Sequence, residues 1–383
     1  MLSSSPFQII GAFLVFLFGL FIIWGIRTYF KSTLTRSSLV YIWHTLLCLV
    51  YFWYVFEKGG DAIGYFVRAT VYGYDNKIGF GTVGVDYLTT LLVQGLGLSF
   101  LGCFLVFNIF GAIGLLAFDS ILRQTTKDSS LRIKRLASLI IFLPSVSFWS
   151  SAVGKDSISF MATCLALWAA INFKRHIFLF MFSVLAMVLV RPHIGGIMIA
   201  AFALAFIFDK HASIFQRISI GSIAVIATGI AIPFALQYAG LGGAGNTADV
   251  QAYIEGRQGY NTEGGGGVDI RSMSLPMQMF TYLFRPLPFE ANSVFALAAS
   301  IDNIILLYLF IIGSRALLKK AKPSLQVNRA FLWIYAFMTL IILSMTTANL
   351  GIAMRQKWMF APMFIFLLIS VIGSHSMKDK DRL

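Results

Sequence analysis

Apolar stretches recur along the whole chain at roughly the length of a membrane crossing, and no other feature constrains the fold as tightly. About eleven segments of roughly 14 to 22 residues alternate with polar connections. With 58% hydrophobic and 12% charged residues and a mean hydropathy of +0.80, the chain is not that of a soluble globular protein. Lipid offers no hydrogen bonds to a bare backbone, so such segments are expected to be helices. The expected fold is all-α, a single polytopic transmembrane domain over residues 1–383. Spans are read at about 7–26, 38–56, 99–118, 136–152, 157–173, 177–190, 194–208, 218–237, 293–313, 330–347 and 358–374. The N-terminus lacks the charged region and small-residue cleavage site of a signal peptide, so the first stretch is expected to be retained.

The connections divide by charge. Arg27–Ser37, Asp119–Arg135, Lys174–His176, Asp209–Arg217, Ser314–Arg329 and the tail from His375 hold 20 of the 30 Lys and Arg against five acids. The other connections hold ten of each sign. That asymmetry follows the positive-inside rule, with the N-terminus outside and the C-terminus cytoplasmic. The net charge of +14 therefore sets topology and meets anionic headgroups; nucleic acid is not an expected partner. Cys48, Cys103 and Cys164 all lie in apolar segments and form no zinc pattern.

Two non-cytoplasmic loops are long, about 57–98 and 238–292. The first runs into the Gly-rich "GFGTVGVDYLTTLLVQGLGL", expected as a helix at the interface or dipping in, with Tyr65, Tyr72, Tyr74 and Tyr87 at headgroup level. The glycine runs of the second make it either a plain surface loop or a lid over substrate.

Apart from the mid-span Asp302, the candidate residues fall on the non-cytoplasmic side. Asp61, Tyr65 and Arg68 share one face if their segment is helical. They offer either a general base or an ordinary Asp–Arg pair on a solvated helix. In "VGKDSIS", Asp156 and Ser157 read as a helix N-cap with Lys155 beside it, a phosphate cradle or simply a capped turn. Arg191 and His193 interrupt a long apolar run in "LVRPHIGG", where Arg191 suits a phosphate and His193 a proton transfer, or the arginine caps helix ends. Arg285 in "FRPLPFEAN" and Arg355 and Gln356 in "NLGIAMRQK" sit at span ends. Asp302 lies mid-span, placed to hold an arginine or to bond across helices with Asn303. Four cations, Lys155, Arg191, Arg285 and Arg355, with Asp61 and Asp156 nearby, suit a pyrophosphate leaving group and a base.

These blocks, "GGDAIGYFVRA", "FWSSAVGKDSI", "RPH", "FRPLPFEA" and "NLGIAMRQK", resemble those of bacterial O-antigen and exopolysaccharide polymerases, and the architecture is similar to C-type glycosyltransferases. The resemblance implies a multi-pass protein of the bacterial plasma membrane that joins oligosaccharide units carried on undecaprenyl diphosphate. Its partners would be the polyprenyl-linked oligosaccharide, membrane lipids and other polysaccharide-assembly proteins. Asp61 would match the loop carboxylate, and Arg191, Arg285 and Arg355 the positions facing pyrophosphate. The first loop has no Asp-x-Asp pair, so no cofactor is expected, a divalent ion at Asp61 being the one metal role the loop offers. The rival from another class is a transporter or flippase for a lipid-linked or anionic solute; a third reading is a scaffold subunit of an export complex.

Overall fold

The computed structural model describes residues 5–73, 78–207, 247–260, 266–325 and 327–380, with isolated positions 222 and 229. Among the described residues the protein is all-helical, without strands. It is a multi-pass membrane protein by its helices. Six are long and apolar enough to cross a bilayer, seven if one bent pair is a single span. The chain forms two compact units.

Unit 1 comprises Met1–Gln124, Lys134–Ala169 and Phe173–Arg191. Four candidate spans belong to it: α1 (Pro6–Ile26), α2 (Leu34–Lys58), α5 (Phe100–Thr125) and α9 (Phe173–Val190). Helix α1 keeps large side chains such as Phe7, Phe13, Phe18 and Phe21 exposed, as a helix facing lipid would. Helix α5 is the core of the unit, with Phe104, Phe107, Leu115, Phe118 and Ile121 fully buried. Between α2 and α5 lie α3 (Asp61–Val71), α4 (Thr82–Thr90) and a π-helical turn, Leu91–Gly95. The Gly-rich segment is thus helical, as expected.

The expected span at 136–152 is broken. Helix α6 (Leu131–Ile141) stops short of Pro144, whose missing N–H and fixed φ open a new helix, α7 (Pro144–Trp149). Residues 150–154 turn the chain into α8 (Lys155–Ile171). The expected spans 177–190 and 194–208 appear as α9 and α10 (Pro192–Ile207), the latter with proline in its first turn.

The charge pattern along the sequence becomes a difference between the two ends of unit 1. At one end Asp119, wholly buried, accepts from Arg36 at 2.6 Å and Arg123 at 2.7 Å. Tyr29 bonds His176 at 2.8 Å and Lys31 bonds Gln124 at 2.8 Å at that same end. Helices α2 and α9 run from there to the end that carries Asp61 and Arg191.

Unit 2 comprises Thr125–Ile133, Ala170–Asn172 and Pro192–Leu383. It holds α10, α11 (Thr247–Tyr260), α12 (Leu275–Phe284), α13 (Val294–Leu318), α14 (Arg329–Thr346), α15 (Leu350–Gln356) and α16 (Ala361–Lys380). The expected last span, 358–374, falls mostly on α16, and the preceding Leu350–Met359 meets Ala361–Ile372 at 62°. The described end of the glycine run in the second loop is tied to the chain before α15. Gly267 pairs with Asn349, Val268 N–H donates to Ala348 O at 2.9 Å, and Leu350 N–H donates to Gly266 O at 2.8 Å, strapping the loop to the start of α15. The expected span 218–237 lies outside the described residues.

Candidate functional site

In unit 1 the sequence-predicted residues converge around one tyrosine. Asp61 opens α3 and is exposed, following Gly60 at φ 145, a backbone shape that favours glycine. One turn on, Tyr65 points inward and is 5% exposed. This corrects its expected place among the headgroup tyrosines, since α3 is amphipathic and turns that face to protein. Tyr72, at 59% exposure, keeps the expected role open, and Tyr74 lies outside the described residues. Arg68 completes the face; its guanidinium lies 5.0 Å from the Tyr65 ring centroid. Its partner is not Asp61 of the expected pair but Asp86 of α4, at 2.9 Å.

The N-terminus of α8 supplies the next charges. Helix α8 begins at Lys155, after Gly154 at φ 154, so Asp156 lies in the first turn and is not the N-cap. Its carboxylate instead accepts from Arg191 at 2.5 Å, directly after the end of α9. Ser157 donates to Gly154 O at 3.3 Å and Ser159 to Asp156 O at 3.2 Å, so the hydroxyls are spent on the turn. Arg191 is 6% exposed, and among the described residues its Nε has no hydrogen-bond partner.

Tyr65 senses all of these groups. Its phenol is pushed up to about 12, mainly by burial and further by Asp61 and Asp156, while a hydrogen bond with Thr82 and the charge of Arg191 act against the rise. Burial also raises the Asp86 carboxyl, against which Arg68 and Lys155 work. Lys155 is therefore within electrostatic reach of Asp86, and Asp61, Asp156 and Arg191 within reach of one phenol. Three cations (Arg68, Lys155, Arg191) balance three carboxylates (Asp61, Asp86, Asp156). Asp86 thus joins Asp61 and Asp156, the acids the sequence places beside the cations.

Unit 2 carries the remaining candidates. Arg285 follows α12 and meets Glu290 at 2.5 Å, through Nε at 2.8 Å as well. Glu290 also accepts from Leu287 N–H at 2.7 Å, and the Arg285 hydrogen bond holds its carboxyl below the ordinary 4.5. Gln356 accepts from Tyr282 and Thr347, each at 3.5 Å. Arg355 and His193 are half-buried. Asp302, 1% exposed on α13, lies within electrostatic reach of Lys357, a lysine rather than the expected arginine. Lys357 is itself 1% exposed; its ammonium donates to Asn303 Oδ1 and to Leu283 O at 3.5 Å. Asn303 thus bonds across helices, though to Lys357 and to Pro286 O at 3.1 Å.

Four ionisable groups, Asp86, Glu290, Lys357 and His44, are not among the residues that the sequence singles out. Asp86, Glu290 and Lys357 are ionisable residues inside apolar or Gly/Pro-rich stretches, where each reads as a loop or topology charge. His44 of α2, wholly buried among polar partners, carries the clearest signal of the four, an imidazole in the middle of a span. Cys48, Cys103 and Cys164 are buried thiols, as expected of core residues. Among the described residues no three His, Cys, Asp or Glu come together as a metal-holding group. No family model, curated protein or solved structure matches the chain.

Proposed function

We propose that the protein is a membrane glycosyltransferase of the polysaccharide-polymerase kind, acting at the non-cytoplasmic face of a bacterial plasma membrane. On this reading the chain makes eleven passages, with the N-terminus outside. The substrate is an oligosaccharide on undecaprenyl diphosphate. The observation that carries the reading is the gathering of Asp61, Tyr65, Lys155, Asp156 and Arg191 at one end of unit 1.

Asp61, exposed at the edge of the group, takes the proton of an acceptor hydroxyl. The hydroxyl oxygen bonds to the anomeric carbon as the carbon–oxygen bond to the diphosphate breaks. Negative charge develops on the leaving diphosphate, where Arg191 and Lys155 stabilise it. Asp156 holds the Arg191 guanidinium from one side and leaves Nε to the phosphate. Tyr65, whose phenol stays protonated at working pH, donates and does not act as base. Arg285, being paired with Glu290, is assigned to sugar or headgroup contact and not to the phosphate.

The test is polymer synthesis in cells carrying Asp61→Asn, Arg191→Ala or Lys155→Ala protein at wild-type abundance. Each is expected to lose at least about tenfold in polymer, as removal of a general base or of a charge-stabilising donor does. Full synthesis by all three variants would sink the mechanism.

The buried Lys357, with Asp302 within its field, favours transport as a second reading, since ionisable groups at membrane depth mark ion and substrate pathways. Substrate movement between leaflets that survives Arg191→Ala but not Lys357→Met would decide for it.

A further inference from the structure

The turn of residues 150–154 is non-helical backbone next to membrane-spanning helices, and such backbone persists only where protein satisfies it. One stripe of α2 lies against it. His44, with no exposed surface, engages both ring nitrogens: Nδ1 with Asn108 Oδ1 at 2.6 Å and Nε2 with Ser150 Oγ at 3.0 Å. Asn108 of α5 returns to α2 through Thr45 Oγ1 at 2.9 Å. One helical turn beyond His44, the Cys48 thiol donates to Ser151 O at 3.5 Å. Tyr51 then stacks on Phe148, with ring centroids 4.4 Å apart, and meets Trp149 edge-on at 5.3 Å. Gly111 of α5 is what admits this packing, because a methyl group there would lie 2.0 Å from Ser150 O and 2.6 Å from His44 Cε1.

Apolar side chains would fill this space at no desolvation cost, so a fully partnered imidazole specifies geometry. The chain leaves the turn directly into the start of α8, with Lys155 and Asp156. We infer that His44 is a positioning residue: through Ser150 it fixes the turn that delivers Lys155 and Asp156 to the candidate site. Only the catalytic consequence of this inference rests on the glycosyltransferase reading.

The test uses the full-length protein in detergent and a membrane-impermeant maleimide. A Lys155→Cys reporter replaces a half-buried side chain, while the native cysteines are buried. A Tyr72→Cys reporter, at a position 59% exposed in the same unit, is the control. Ser150→Ala, the mildest change, and His44→Gln are each expected to raise the labelling rate at position 155 about fivefold, the weight of one net hydrogen bond. The rate at position 72 should not move. An unchanged rate at 155, or an equal rise at both positions, would overturn the inference. In polymer assays with Lys155 intact, Ser150→Ala should lower kcat about fivefold with KM nearly unchanged. A wild-type protein that makes no polymer defeats the glycosyltransferase reading but leaves the labelling result to decide the role of His44.

Discussion

Arg191 and Asp156 are the pair on which the site turns, and both are shielded, at 8% and 17% side-chain exposure. Removing the cation from a shielded carboxylate is costly, so Arg191→Ala should destabilise the protein by about 3 kcal/mol, read as a lower unfolding midpoint in detergent. Asp156→Ala should cost a similar amount, and the double variant less than the sum, because one interaction is lost only once. The Arg285–Glu290 lock behaves differently with pH. Its carboxyl is held below the ordinary 4.5, so its stabilisation is complete above that value and is lost as pH falls through the lowered one. Acid unfolding should therefore show a component below the ordinary 4.5 that Glu290→Gln removes. Much at this scale is legible in the sequence: Arg191 and Asp302 are charges out of place in apolar runs, Asp61 stands at the head of an amphipathic stretch, and each lies near other ionisable groups. Their partners are not legible. Asp86 lies 18 residues beyond Arg68, and a local pattern cannot tell it from Asp61 as the ion-pair partner.

Helices α2, α5 and α7 pack closely only because small residues stand at their crossings. Gly111→Ala would drive a methyl into the backbone of Ser150 and into His44, and is expected to lower stability by about 2 kcal/mol or more, read as a lower unfolding midpoint. Gly25→Ala, where nothing lies within 4 Å, is the matched control and should be neutral. In unit 2 the Asn349 side chain caps α15 by accepting from Ile352 N–H at 3.2 Å, while Gly267 pairs with the same residue. Asn349→Ala should cost about 1 kcal/mol through the lost cap and loosen the glycine strap, measurable as faster proteolysis of the loop. Among the described residues element type is readable because apolar length dictates helix in a bilayer. Element limits are not, where Pro144 starts a new helix or Gly154 moves a helix start by two residues. Those shifts depend on backbone shapes that hydropathy does not record.

Across the molecule, charge separates by end within each unit. In unit 2, Arg315 and Arg329 stand at the ends of α13 and α14 that join through residues 319–328, whereas Arg285 and Arg355 flank the opposite ends. In unit 1 the 25 residues of α2 put about 36 Å between the Arg36 end and the Asp61 end, enough to cross a bilayer. The proposed orientation places the Asp61 end outside, so a Tyr72→Cys label should be reached from the periplasmic side of intact cells and a Lys31→Cys label only after lysis. Bond formation at the Tyr65 cluster is the central claim, and reconstitution tests it most directly. Purified protein in lipid vesicles would be given an undecaprenyl-diphosphate-linked oligosaccharide, and the products resolved by size. The predicted result is longer lipid-linked glycan, at least about tenfold reduced by Arg191→Ala and by Tyr65→Phe. Movement of the substrate between leaflets with no growth in glycan length would contradict it.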